Sequence, residues 1–226
     1  MQNDISVVDL FCGIGGLSYG LKKAGLNIKA GFDFDDNCKY TYETNCKAKF
    51  IHQDISQVDR NDILKFYDKN NINILVGCAP CQPFSTYTLK YDKTKDTRWQ
   101  LLYEFARLIK ETNPQIISME NVPNLLKFKK EPIFENFITD LKKRNYFVWY
   151  DIIYCPDYGI PQKRKRLVLL ASKLSEISLI KPTHTPSSYV TVQDAIGNLE
   201  PIKSGEYSKN DCNHSALQKK VGMKVA

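Results

Sequence analysis

The residues with the clearest chemical potential are gathered in Gly77-Cys78-Ala79-Pro80-Cys81-Gln82-Pro83-Phe84-Ser85. The apolar run Ile72-Asn73-Ile74-Leu75-Val76 comes directly before them and reads as a buried strand. A thiol held between proline and glutamine just past a strand end sits where α/β proteins place their reacting groups. Through its thiolate, a cysteine there can act as a nucleophile. Other readings compete. Cys78 and Cys81 form a C-x-x-C, which suits a redox pair. They could also be half of a zinc site, but no second C-x-x-C or close histidine pair completes it, so no metal is expected. A single cysteine is also commonly a small buried hydrophobe.

Further groups sit at other strand ends. Phe11-Cys12-Gly13-Ile14-Gly15-Gly16 follows the apolar run Ile5 to Leu10, and a glycine turn there exposes backbone N–H groups to a close-approaching ligand. Asp33 ends a second apolar run, where a carboxylate can hold ribose hydroxyls or simply cap the next turn. Phe34 beside it can stack on a purine or pack. Asp54 can receive an adenine amino group or cap the following helix. Glu120, next to Asn121-Val122-Pro123, is poorly placed for a core and well placed for a site. Arg164 and Arg166 are two apart, so on a strand both would share one face and could hold a phosphate or orient a ligand. Such a charge run is also often a solvated edge.

These groups need a scaffold. Strands are expected at 5–10, 28–32, 50–51, 72–76, 116–119, 147–153 and 166–171. Helices are expected near 17–24, 37–46, 61–67, 99–111 and 133–144, the first stopped by Gly25. The alternation predicts an α/β fold, a mostly parallel sheet with helices on both faces. The last two strands have no helix between them and predict an antiparallel edge hairpin. From Lys181 onward Pro, Thr, Ser and Lys dominate, with helical periodicity only at 190–199, so a boundary is placed near residue 180.

Composition bounds the class. The 226 residues are 42% hydrophobic and 25% charged, enough to build a core. A net charge of +7 favours a polyanionic partner without requiring one. Seven scattered cysteines do not resemble a disulfide framework, and neither a signal segment nor a membrane-spanning run is present. A soluble protein of the cytoplasm, in a bacterial or phage-like setting, is expected.

Taken in order, Asp9-Leu10-Phe11-Cys12-Gly13-Ile14-Gly15-Gly16, Pro80-Cys81-Gln82, Asp96-x-Arg98, Glu120-Asn121-Val122, Tyr158-Gly159-Ile160-Pro161-Gln162 and Gln162-x-Arg164-x-Arg166 closely resemble the cytosine-C5 DNA methyltransferases. The resemblance covers about residues 5–171 and continues weakly through Thr191-Val192-Gln193-Asp194-Ala195-Ile196. It implies a Rossmann-like methyltransferase fold with S-adenosylmethionine as methyl donor, contacted by Phe11, Gly13, Gly15, Asp33, Phe34, Asp54, Ile55 and Pro80. It implies double-stranded DNA as substrate, with the target cytosine flipped out of the duplex. Cys81 would be the nucleophile, Glu120 would act at ring N3, and Arg166, with Arg164, would support the base carbonyl. Gln82, Ser85, Lys90, Lys93 and Arg98 would belong to a loop that closes over DNA, whose lysines suit phosphate contact.

Family members continue past the arginine motif into a target-recognition region and two late motifs. This sequence holds at most the beginning of that region, in 181–226, after a catalytic domain in 1–180. The expectation is a catalytic subunit or fragment of a split or truncated restriction–modification methyltransferase, completed by a second polypeptide. The alternatives are a non-catalytic DNA-binding relict and a tRNA-cytosine methyltransferase.

Overall fold

Val7, Val8 and Leu10 make β1 (Ile5–Leu10) a strand buried on both faces, which places it in the interior of a covered sheet. In the computed structural model, which describes residues 4–80, 100–128 and 131–210, β1 lies in a seven-stranded sheet. The other strands are β2 (Ile28–Asp33), β3 (Lys49–His52), β4 (Ile72–Gly77), β5 (Ile116–Asn121), β6 (Phe147–Tyr154) and β7 (Lys165–Ser172). Their order is β3-β2-β1-β4-β5-β7-β6. The first five strands run parallel, and β7 is antiparallel to both of its neighbours. The expected α/β architecture with an antiparallel edge is therefore present. The later strand of the hairpin, β7, is the one that pairs with β5.

The helices are α1 (Gly16–Lys23), α2 (Lys39–Cys46), α3 (Arg60–Leu64), α4 (Leu101–Thr112), α5 (Ile133–Lys143) and α6 (Val192–Ile196). Leu102, Phe105, Leu108 and Ile109 of α4, and Phe134, Phe137, Ile138 and Leu141 of α5, recur at helical spacing. They pack with α3 on one face of the sheet, over Leu10, Phe32, Leu75, Ile117 and Leu167. Leu17 and Leu21 of α1 cover Val7, Ile74 and Val76 on the other face.

The chain divides into two units, one formed by 1–154 with 165–181 and the other by 155–164 with 182–226. In the second, the Asp157 carbonyl accepts the N–H groups of Thr183 (2.9 Å) and His184 (3.0 Å), and the Tyr189 hydroxyl donates to the Asp157 carboxylate at 2.5 Å. A capping box of Thr191 and Asp194 starts α6. Among the described residues no helix is long and apolar enough to cross a membrane.

One polar group is sealed inside the first unit. Asp9 of β1 is 1% exposed and accepts a hydrogen bond from the Ser18 hydroxyl at 2.6 Å, which lies 3.0 Å from the Tyr42 hydroxyl. The triad ties β1 to α1 and α2. Tyr42 in turn fits only because glycines face it: a Cβ on Gly31 would lie 2.4 Å from its ring, and one on Gly15 2.9 Å. The second Asp9 oxygen has no hydrogen-bond partner. Burial raises the Asp9 carboxyl to about 7, against the pull of Ser18 and with some help from the charge of Asp33.

A carboxyl that titrates near 7 when folded and near 3.8 when unfolded holds more protons in the folded state between those values. Its contribution to stability therefore falls as pH rises through that window and levels off above about 7. Asp9→Asn removes this dependence. The melting temperature of the variant relative to wild type should rise steadily between about pH 4 and pH 8, by the equivalent of a few kcal/mol at most. Thermal unfolding across that range checks this, and a constant difference would contradict it.

Candidate active site

The parallel strands β2, β1, β4 and β5 all end on the same edge of the sheet, and the chemically competent residues of the first unit collect there. Just past β1, Phe11 takes a left-handed backbone conformation (φ 59°), which a bulky side chain seldom adopts without a functional reason. Gly13 follows with φ 50°, and its N–H donates to Asp33 Oδ2 at 2.8 Å. Asp33 Oδ1 accepts the N–H of Asp35 at 3.0 Å. One carboxylate thus fixes the turn after β1 and the turn after β2. A carboxylate has about four lone-pair sites, so it can still receive hydroxyls.

Phe34 leaves its ring 72% exposed, and Ile14 is 63% exposed. Large apolar side chains left open beside a fixed carboxylate suit a ligand with a flat ring and a sugar. His52 Nε2 lies 2.8 Å from the Phe34 carbonyl, and because a carbonyl only accepts, that nitrogen carries the proton and holds Phe34 in place. No side chain caps the N-terminus of α1. The adenosyl moiety expected from the motifs is therefore matched by the residues present.

Asp54 takes up the capping role that sequence reading left open. Its Oδ1 accepts from the Ser56 N–H at 2.9 Å and the Ser56 hydroxyl at 2.8 Å. Ile55 is buried in the main core, and its carbonyl accepts hydrogen bonds from the Val58 N–H and the Arg107 guanidinium, both at 3.3 Å.

Glu120 and Arg166 meet at this edge. Glu120 lies opposite Val168 across the β5–β7 pair, so Arg166, two residues along β7, stands diagonally on the same face. Arg166 Nε is 2.5 Å from Glu120 Oε1, with the side chains 18% and 35% exposed. Both side chains are partly exposed. Arg164 behaves differently. β7 begins at Lys165, so the alternation that would place both arginines on one face does not extend to it. It is exposed, belongs to the second unit, and its carbonyl accepts the Cys155 N–H at 2.9 Å.

Beyond β4, Cys78 donates its N–H to the Leu10 carbonyl at 3.3 Å. Its thiol hydrogen-bonds Glu120, and burial, followed by the charges of Asp9 and Glu120, pushes it well above the usual thiol range. Pro80 is the last described residue of this turn. Cys81, Gln82, Ser85, Lys90, Lys93 and Arg98 lie outside the described residues. Among the described residues no group of three His, Cys, Asp or Glu side chains could hold a metal. Two contributors had no role in the sequence reading, although both stand inside its motifs. Asp9 carries the buried triad, and Asn121, 1% exposed, hydrogen-bonds the Ala79 carbonyl. Their only sequence signal was a polar residue near the end of a mostly apolar strand.

Comparison with known proteins identifies the family. The chain is 50% identical over 211 residues to the Type II methylase M.HgiDII of Herpetosiphon aurantiacus, covering 93% of this chain but 59% of that protein. It is 29% identical to the Type II methyltransferase M.AquIA of a Picosynechococcus strain, covering 86% of this chain and 89% of that one. A crystal structure of a DNA modification methyltransferase encoded within an E. coli prophage superposes with a TM-score of 0.75 at 28% identity, over 90% of this chain and 57% of that one. S-adenosylmethionine is the methyl donor used in this family. The family model for C-5 cytosine-specific DNA methylases matches residues 5–224, and the chain belongs to that family.

Proposed function

We propose that this chain is the catalytic part of a restriction–modification DNA (cytosine-5-)-methyltransferase, acting on a cytosine flipped out of double-stranded DNA. The observation that carries the reading is the Glu120–Arg166 pair, partly exposed beside Cys78, three residues before Cys81 in the sequence.

Carbon 5 of cytosine is too weak a nucleophile to take a methyl group unaided. Addition of the Cys81 thiolate to C6 forms a C–S bond and moves the C5–C6 electron pair onto C5 and the ring. Glu120, acting as the acid, gives its carboxyl proton to N3, where negative charge develops, and Arg166 supports both Glu120 and the base carbonyl. When bound, S-adenosylmethionine would supply an electrophilic methyl on a sulfonium whose S–CH3 bond breaks with the electron pair left on sulfur as a neutral thioether. Once C5 has gained the methyl, loss of the C5 proton to a base expels Cys81 and restores the ring. Cys78 cannot substitute for Cys81. Its thiol is held protonated by burial and two carboxylates, which also weighs against a C-x-x-C redox pair.

Asp33 and Phe34 would receive the ribose and adenine, with the turn at Phe11, Gly13 and Gly15 beneath them and Asp54, Ile55 and Pro80 alongside. Gln82, Ser85, Lys90, Lys93 and Arg98 would face DNA. In this reading, residues 1–180 form the catalytic domain and 181–226 open the target-recognition region.

The chain spans 59% of the length of M.HgiDII, so the rest of the machinery is assigned to a further polypeptide segment. M.AquIA, matched over 89% of its own length, supports a catalytic portion existing as a chain of about this size.

Transfer of labelled methyl from S-adenosylmethionine to unmethylated DNA tests the reading, with and without the C-terminal portion of a relative. Incorporation is expected once that portion is added, and silence in both cases would indicate a relict. Cys81→Ser should reduce incorporation to background while leaving the cofactor dissociation constant within about twofold, since the thiol acts on the base and not on the cofactor. Asp33→Ala should weaken cofactor binding by about tenfold or more, measured by calorimetry. An unchanged constant would remove Asp33 from the cofactor site.

A further inference from the structure

We propose that Asn121 is a positioning residue that fixes the Cys78-Ala79-Pro80 turn, the residues directly before Cys81 in the sequence, relative to Glu120. The inference rests on the roles given above to Cys81 and Glu120. Asn121 ends β5, and because successive strand residues face opposite ways, its side chain turns inward while that of Glu120 turns toward the open edge.

The parallel ladder between β4 and β5 stops at the pairing of Gly77 with Met119. Continued by two residues, the same register would place Ala79 opposite Asn121. The backbone of β5 cannot supply that rung, because the chain turns away at Val122 into a 3-10 turn beginning at Pro123, which has no N–H. The Asn121 side chain supplies it instead. Its Nδ2 donates to the buried Ala79 carbonyl at 3.1 Å, and its Oδ1 accepts the Val122 N–H at 2.9 Å.

On the opposite flank, the Cys78 N–H bonds the Leu10 carbonyl at 3.3 Å, extending the β1–β4 pairing by one residue. Cys78 and Ala79 are thus held on one side by the backbone of β1 and on the other by a single side chain from β5. Pro80 has no N–H to add, and Cys81 comes next. The side chain that clamps this departure point is adjacent in sequence to Glu120, so one strand end sets both partners of the reaction.

The task needs a donor and an acceptor on one short planar group, which only asparagine provides at this length. Asn121→Asp separates the two bonds: it keeps the acceptor for Val122 and sets a lone pair against the Ala79 carbonyl. Amide hydrogen exchange in wild type, Asn121→Ala and Asn121→Asp, together with methyl-transfer kinetics in the presence of the complementing segment, tests the clamp. Both variants should speed exchange of the Cys78–Ala79 peptide by about tenfold or more while β1 and α4 keep their protection. Both should also lower kcat by about 10- to 100-fold with cofactor affinity within about twofold.

The proposal is overturned if Asn121→Asp matches wild type in both readouts, because the residue would then only cap its own turn. A uniform loss of protection across all strands also overturns it, because the role would then be purely structural. If wild type transfers no methyl, the proposed function fails, and the exchange comparison still confirms or overturns the clamp.

Discussion

The contact between Glu120 and Arg166 depends on the reversed direction of a single strand. β7 runs antiparallel to β5, so its first residues lie beside the last residues of β5. A parallel strand in the same position would bring its end to this edge and carry its start to the far side of the sheet. Reversal therefore allows an arginine from the beginning of one strand to meet a glutamate from the end of another. With both side chains partly exposed, the ion pair itself contributes little to stability. Its significance is geometric: it presents a carboxylate with fixed orientation at the edge where the β1 and β4 turns also emerge.

Around that edge the fold uses polar groups sparingly, and each has a structural duty. Asp33 fixes two turns, Asp54 caps one, and Asn121 replaces a rung that the backbone cannot provide. Capping and ligand binding, which compete as interpretations of a sequence, are compatible in the folded chain because a carboxylate has lone pairs to spare. Asp9 is the exception. It lies behind the edge with one oxygen unpartnered and burial raising its pKa to about 7, and it joins β1 to α1 and α2 at a cost that depends on pH.

Much of this could be read from the chain before folding was considered. Apolar runs such as 72–76 and the periodic faces of α4 and α5 mark their elements because burial on two faces, or one, leaves a direct imprint on residue type. The order of the last two strands left no such imprint, since β6 and β7 are both apolar and only their pairing partners distinguish them. Arg164 and Arg166 looked equivalent at a spacing of two. The strand begins between them, however, and that boundary is set by hydrogen bonding that residue types do not report. Asn121 was visible as part of a motif, but its role depends on a carbonyl 42 positions away.

In the proposed reaction Cys81 adds to C6 of a base held by Glu120 and Arg166. Replacing the target cytosine by 5-fluorocytosine tests it most directly, because fluorine at C5 cannot leave as a proton does and the thioether should persist. The chain, completed with the C-terminal portion of a relative, would be incubated with such a duplex and S-adenosylmethionine, digested and mapped by mass spectrometry. A stable methylated adduct on Cys81, absent from Cys81→Ser, is the predicted result. An adduct on Cys78, or none from a preparation that methylates ordinary DNA, would rule out Cys81 as the nucleophile.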